Sequence, residues 1–342
     1  MTKNRLLYID IFKGLCIIFV VVHHVPLAMD GKFAESGEYW WFINNFIISF
    51  FMPAFFIATG YCSSFDVPIK TYIWKKIKSI LIPCYCLYYL NRYLQNLDVL
   101  LFGDSSWQTF SHWISPGIRT FFTEGGHYWF LSALFLSELI AWWMINLLKG
   151  NKKVQWLLLY CLFIIGIVLY HTSIIPNFFF FQHALVLLPF LFIGKEIKKH
   201  EHFIERYGQI IFVWFIMIIS LLSFFQIEIP TITRTITVSL KNSFLFLLLS
   251  ILGSCTILHI SKLSKTSKIL EFLGRGSLVE YCFNYTTLCL VGHTVLKIES
   301  YLSIYTLSTI NYLIIVIASL FILAFFYWLL NHKYLRILIG KF

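Results

Sequence analysis

An acid, a cation and a histidine pair interrupt the first long apolar run of the chain, "YIDIFKGLCIIFVVVHH", as Asp10, Lys13, His23 and His24. A helix turns about 100° and rises about 1.5 Å per residue. The eleven residues from Lys13 to His24 therefore rotate about 20° past three full turns, putting both side chains on one face about 16 Å apart. Asp10 lies one turn before Lys13, close enough to pair with it, and His23 points about 100° away. Lipid penalises such groups, so the stripe must face a bundle interior or a water-filled cavity. A lysine there can hold an anion or polarise a carbonyl, and a histidine can take and return a proton near neutral pH. The same spacing also fits a buried Asp10–Lys13 pair with His24 as a hydrogen-bonded interface residue.

The elements that position these groups are membrane helices. Of 342 residues, 59% are hydrophobic and 13% charged, with a mean hydropathy of +0.77, against about 25% charged in a soluble domain. Apolar windows of about 20 residues, each long enough to cross a hydrocarbon core, recur from end to end. They are continuous rather than alternating, which selects helices over a barrel. The predicted fold is all-α: one polytopic integral membrane domain over residues 1–342, with helices near 6–28, 39–62, 73–93, 128–148, 154–172, 177–196, 208–227, 236–260, 270–295 and 308–331. The connection over about 94–127 is rich in Trp, Ser and Gly and is expected to cap an external cavity.

The net charge of +11 does not indicate nucleic acid, because the cations fall in short connections between apolar runs. Twenty of the 27 Lys and Arg lie in segments facing one side and six face the other. The positive-inside rule then makes both termini cytoplasmic in a multi-pass protein of the cell (inner) membrane. Asp10 and Lys13 interrupt what could be a signal peptide, so the first segment is expected to be retained. The eight cysteines sit within or at the ends of apolar segments and read as small core residues, not metal ligands or disulfides. No metal site is expected.

Several fragments together resemble the membrane-bound acyltransferase 3 family, whose members O-acylate sugars and other hydroxyl acceptors. Its first helix has Asp, then Arg or Lys three residues on, then Gly, then His eleven residues after the basic residue; here these are Asp10, Lys13, Gly14 and His24. "FFMPAFFIATGY", "KKIKSILIPCY", "GHYWFLSALFLSELI", "LPFLFIGKEIKK" and "LEFLGRGSLVEY" are similar to further family segments, in the family's order. The chain departs from the pattern with Asn284 where many members have a second His, and with Lys rather than the commoner Arg at Lys13.

The resemblance implies acyl transfer, acetyl by family frequency, from cytoplasmic acyl-CoA (acetyl-CoA) to a hydroxyl of a glycan or lipid-linked sugar. His24 is then the general base, with an acyl-histidine intermediate as the other route. Lys13, positioned by Asp10, holds the pantetheine or polarises the thioester. The CoA phosphates are expected on Lys75, Lys76 and Lys78, a cluster that also serves as topology signal and lipid contact. Arg275 either joins them or marks the inner side. Glu124 and His127, just before Trp129, are candidates to contact the acceptor. So are Glu280 and Asn284, which share a helix face, although Glu280 could instead partner Lys13. Outer aromatics such as Trp40, Trp41 and Trp107 could stack on sugar rings, whereas His183 reads as a hydrogen-bonded core residue. A rival class, a transporter or flippase for a lipid-linked glycan or small anion, suits buried ionisable groups equally well, but no matching inverted halves are visible.

Overall fold

The computed structural model describes residues 6–29, 38–102, 128–149, 151–264, 267–302 and 308–341. Among these residues the chain is helical, with α1 (Leu7–Ala28), α2 (Glu38–Ile48), α3 (Phe51–Cys62), α4 (Ile69–Lys76), α5 (Ile82–Phe102) and α6 (Trp129–Leu147). Next come α7 (Lys152–Thr172), α8 (Phe181–Lys199), α9 (Glu201–Phe224), α10 (Ser243–Leu263), α11 (Lys268–Leu302) and α12 (Ser308–Leu330). Among the described residues, eight stretches are long and apolar enough to cross a bilayer: α1, α2 with α3, α6 through α10, and α12. The remaining two expected crossings fall on α5 and α11. Both are long, at 21 and 35 residues, but more polar, because they carry faces of the site described below.

Prolines explain where the helices depart from simple spans. Pro53 cannot donate to the Ser49 carbonyl four residues back, and the expected span 39–62 breaks at Ser49–Phe50. The freed carbonyl accepts a hydrogen bond from Ser250 Oγ of α10 at 2.9 Å. The expected span 73–93 is instead a longer run, beginning with α4 and widening into a π-helical segment at Ile77–Leu81. That segment lies just before Pro83, where the missing N–H and the bulk of the ring favour a wider turn.

Two close crossings of small residues hold the bundle together. Gly14 of α1 packs against the Leu270 carbonyl, while Gly274 of α11 packs against the Asp10 carbonyl, so a methyl group on either would overlap backbone. Gly60 of α3 and Gly194 of α8 meet the Leu191 and Ile57 carbonyls in the same reciprocal way. With no hydrophobic gain between helices in lipid, such close backbone approach is what makes association favourable. The span containing α8 is the most enclosed, with 72% of its apolar window buried, against 17% for α9, which faces outward. All eight cysteines are free. Cys16, Cys84, Cys255 and Cys282 are buried as expected of core residues, but Cys62 and Cys161 are exposed.

Candidate active site

α1 passes between two cavities. At its N-terminal end a cavity of about 240 Å³ is lined by Lys13, Thr59, Ser63, Tyr72, Lys75 and Lys76, among others. Lys13 and the α4 lysines, far apart in sequence, therefore share one basic space. Lys76 is buried and ion-paired with the fully buried Glu138 of α6 at 2.6 Å. Tyr72 and Ser63 donate to the same carboxylate. Lys78 does not line the cavity; its ammonium lies over the Trp74 ring, 5.3 Å from the centroid.

Lys13 has no ion-pair partner among the described residues. The expected local pair with Asp10 is replaced by one between helices. Arg275 of α11 lies 3.6 Å from Asp10 and also pairs with Glu271. The glycine crossing explains the exchange, because it seats the first turns of α11 directly against Asp10. Arg275, committed to two carboxylates, is not among the residues lining the basic cavity.

Beyond the middle of α1, a larger cavity of about 560 Å³ has His24 in its wall, together with Trp129, Tyr128 and Asn284. His24 Nδ1 lies 2.7 Å from the Val20 carbonyl. A carbonyl can only accept, so Nδ1 carries the proton and the lone pair of the neutral ring resides on Nε2. The turn that carries His24 is itself repaired from outside. Pro26 leaves the Val22 carbonyl without its helical donor, and Tyr312 of α12 donates to it at 2.7 Å. His23 faces elsewhere, bonded to Asn44 at 3.0 Å and packed on Phe51. The two side chains diverge by the helical rotation, yet their rings still meet edge-on, 5.2 Å between centroids.

Glu280 is fully buried on α11, and neither carboxylate oxygen has a partner; it lies beside Tyr327 rather than against Lys13. One turn later, the buried Asn284 brings an unpartnered Oδ1 into the cavity wall. Glu124 and His127 lie outside the described residues. His183 is a satisfied core residue: Nε2 donates to the Arg234 carbonyl at 3.2 Å and Nδ1 accepts from Asn177 at 3.0 Å. Its ring packs 5.2 Å from Trp129.

Sequence reasoning passed over Glu138, although an acid inside "LFLSELIAWW" is itself a signal of a buried partner. Arg92 and Arg234, two of the six cations that the charge count puts on the outer side, both line the larger cavity. Tyr312 had no local signal, because only the tertiary packing of α12 brings it to the Pro26 turn.

These features define a polytopic helical membrane protein with a basic cavity at one end of its first helix and a histidine-bearing cavity at the other. A family model described as an acyltransferase domain, that of the acyltransferase 3 family, matches residues 6–331, nearly the whole chain. The chain belongs to this family of membrane acyltransferases. No curated protein and no solved structure matches it.

Replacing Tyr312 by Phe leaves the Val22 carbonyl unsatisfied, a loss of about 1–3 kcal/mol, in the turn that aims His24. The expected result is a several-fold lower rate constant for acyl transfer, with an unchanged half-saturating donor concentration. A lower yield of folded protein at unchanged specific activity would mean that Tyr312 only stabilises the fold.

Proposed function

We propose that the protein transfers an acyl group, acetyl by family frequency, from acyl-CoA bound at the basic end to a hydroxyl of a glycan or glycolipid held in the His24 cavity. The observation that carries this reading is the fixed His24 tautomer, which leaves Nε2 as the lone-pair nitrogen of a ring lining a cavity. Nε2 takes the proton of the acceptor hydroxyl as its oxygen attacks the thioester carbonyl. The tetrahedral intermediate collapses with cleavage of the C–S bond, and the proton on Nε2 passes to the departing thiolate. The products are the ester and free CoA.

About 16 Å of helix separates Lys13 from His24, so both cannot act on one carbonyl. Lys13 is accordingly assigned to the donor, together with Lys75 in the same cavity, as point charges for phosphate or for the polar pantetheine arm. The excess of cations at that end supports a cytoplasmic orientation for it, where acyl-CoA is available, in the cell membrane. The test is the O-acetyl content of surface glycans, by mass spectrometry, in a deletion strain with and without the wild-type gene. Acetyl should disappear on deletion and return on complementation; acylation unchanged by deletion would count against a glycan acceptor.

A further inference from the structure

Nε2 of His24 is not the only lone-pair atom with a fixed direction in the larger cavity. On α5, Tyr88, Asn91 and Gln95 line that cavity. Their spacing of three and four residues stacks them along one side of the helix. A polar face within a membrane bundle must meet protein, water or a ligand.

Asn91 is oriented through Tyr128. The Tyr128 ring is buried and stands edge-on to Tyr88, 6.2 Å between centroids. Its hydroxyl donates to the Cys282 carbonyl of α11 at 3.0 Å. A phenol has one proton to give, so toward any other neighbour the Tyr128 oxygen can only accept. The Asn91 side chain is hydrogen-bonded to this hydroxyl, and the amide must therefore approach it with Nδ2–H. Oδ1 is left as the outward acceptor.

Asn91 is 8% exposed, and its Oδ1 has no hydrogen-bond partner among the described residues. Asn284 of α11, 3% exposed and in the wall of the same cavity, also has an Oδ1 without a partner. A buried amide oxygen of this kind needs a donor, from water or from the bound molecule. A ligand that displaces the water without replacing its hydrogen bond loses affinity.

His24 Nε2 and Asn91 Oδ1 can both only accept, and both residues line one cavity. The hydroxyl that His24 deprotonates satisfies only the first. The molecule that fills the cavity must bring a second donor. A sugar ring supplies several hydroxyls in fixed directions, together with C–H faces suited to the Trp129 and tyrosine surfaces of the wall.

Building on the acyltransferase reading, we infer that Asn91 determines acceptor specificity, its Oδ1 accepting a hydrogen bond from a second hydroxyl that is not itself acylated. The protein thereby selects polyhydroxyl sugars over single alcohols. By holding one hydroxyl, Asn91 also fixes which of its neighbours reaches His24.

The test is a cycle between side chain and ligand. The purified protein in a neutral detergent is titrated, without donor, with cyclohexanol and the methyl glycosides of glucose, galactose, mannose and N-acetylglucosamine. Monodeoxy analogues of the tightest glycoside follow, and acetyl transfer from labelled acetyl-CoA is measured separately. Loss of one hydroxyl other than the acylated one should weaken binding by about tenfold or more, because it leaves a buried acceptor unpaired. In Asn91→Leu, which offers no acceptor atom, the parent sugar and that analogue should bind alike, and acetyl should spread over more than one ring position. His24→Ala should keep the discrimination in binding. Should Asn91→Leu yield no folded protein, Tyr128→Phe examines the same contact, since an amide released from Tyr128 should discriminate several-fold less.

Binding of cyclohexanol as tight as that of every glycoside, no binding of any glycoside, or indifference to every deoxy change would overturn the inference. So would discrimination that persists in Asn91→Leu, with parent and analogues weakened equally, because Asn91 would then only support the fold. Discrimination unchanged in Tyr128→Phe, where that variant stands in, counts the same way. Asn91-dependent discrimination in binding without any transfer would leave the polyhydroxyl site standing and remove the acyltransferase reading for these acceptors. Equal transfer to cyclohexanol and to the sugars would do the reverse.

Discussion

His24→Ala is expected to slow the incorporation of labelled acetyl into surface glycan by about 10²–10⁴-fold, the usual contribution of a positioned general base, at unchanged levels of folded protein. His24 makes a single hydrogen bond, to its own helix, so its removal deletes chemistry rather than architecture. His23→Ala is expected to behave differently. That residue loses a bond to Asn44 and ring contacts with Phe51 and with the His24 ring, worth about 1 kcal/mol of stability; with Nδ1 of His24 still tied to the Val20 carbonyl, it should retain most of the transfer rate. The comparison isolates a rotation of about 100° between adjacent residues, since residue type and parent helix are shared. Equal loss in both variants would show that the histidine pair acts as a unit and would remove the single-face assignment. Near-normal incorporation by His24→Ala would make the cavity a binding site without a base.

How much of this was legible in the sequence depended on whether the relevant physics is local. The Lys13–His24 face follows from helical rotation alone, and the structure places its two ends in separate cavities. The partner of Asp10 was misjudged for the same reason. A rule about residues one turn apart sees Lys13 but not Arg275, which arrives only because Gly14 and Gly274 allow α1 and α11 to touch backbone to backbone. The interrupted spans around Pro53 and Pro83 were foreseeable from the missing N–H groups. Their repair by Ser250, and that of the Pro26 turn by Tyr312, were not, because those hydroxyls belong to distant helices. Arg92 was readable in part: with Tyr88, Asn91 and Gln95 it already formed a helical stripe in the sequence. That the stripe faces the same space as His24 required α5 and α1 to be placed together.

The Glu138–Lys76 pair carries the second large expectation. The Glu138 side chain is fully buried, and its carboxylate receives Lys76, Tyr72 and Ser63. Removing it in Glu138→Ala strands an ammonium in a poorly solvated position, and breaking such a pair costs about 3–5 kcal/mol. In thermal unfolding followed by size-exclusion chromatography, this should appear as a drop of several degrees and a loss of monodisperse protein. Lys76→Met should be comparably damaging, since it leaves a carboxylate at the edge of a cavity assigned to an anionic donor. Replacing both residues, as Lys76→Met with Glu138→Leu, removes the charges together and should recover much of the stability, because a buried pair contributes little over apolar packing of similar volume. The double variant also separates two roles for Lys76. If the lysine serves only to neutralise Glu138, a refolded double variant should transfer acetyl with nearly normal donor affinity, because Lys13 and Lys75 still line the cavity. If Lys76 instead also engages donor phosphate, the double variant should be stable yet show a raised half-saturating concentration of acetyl-CoA, with its rate constant at saturation intact.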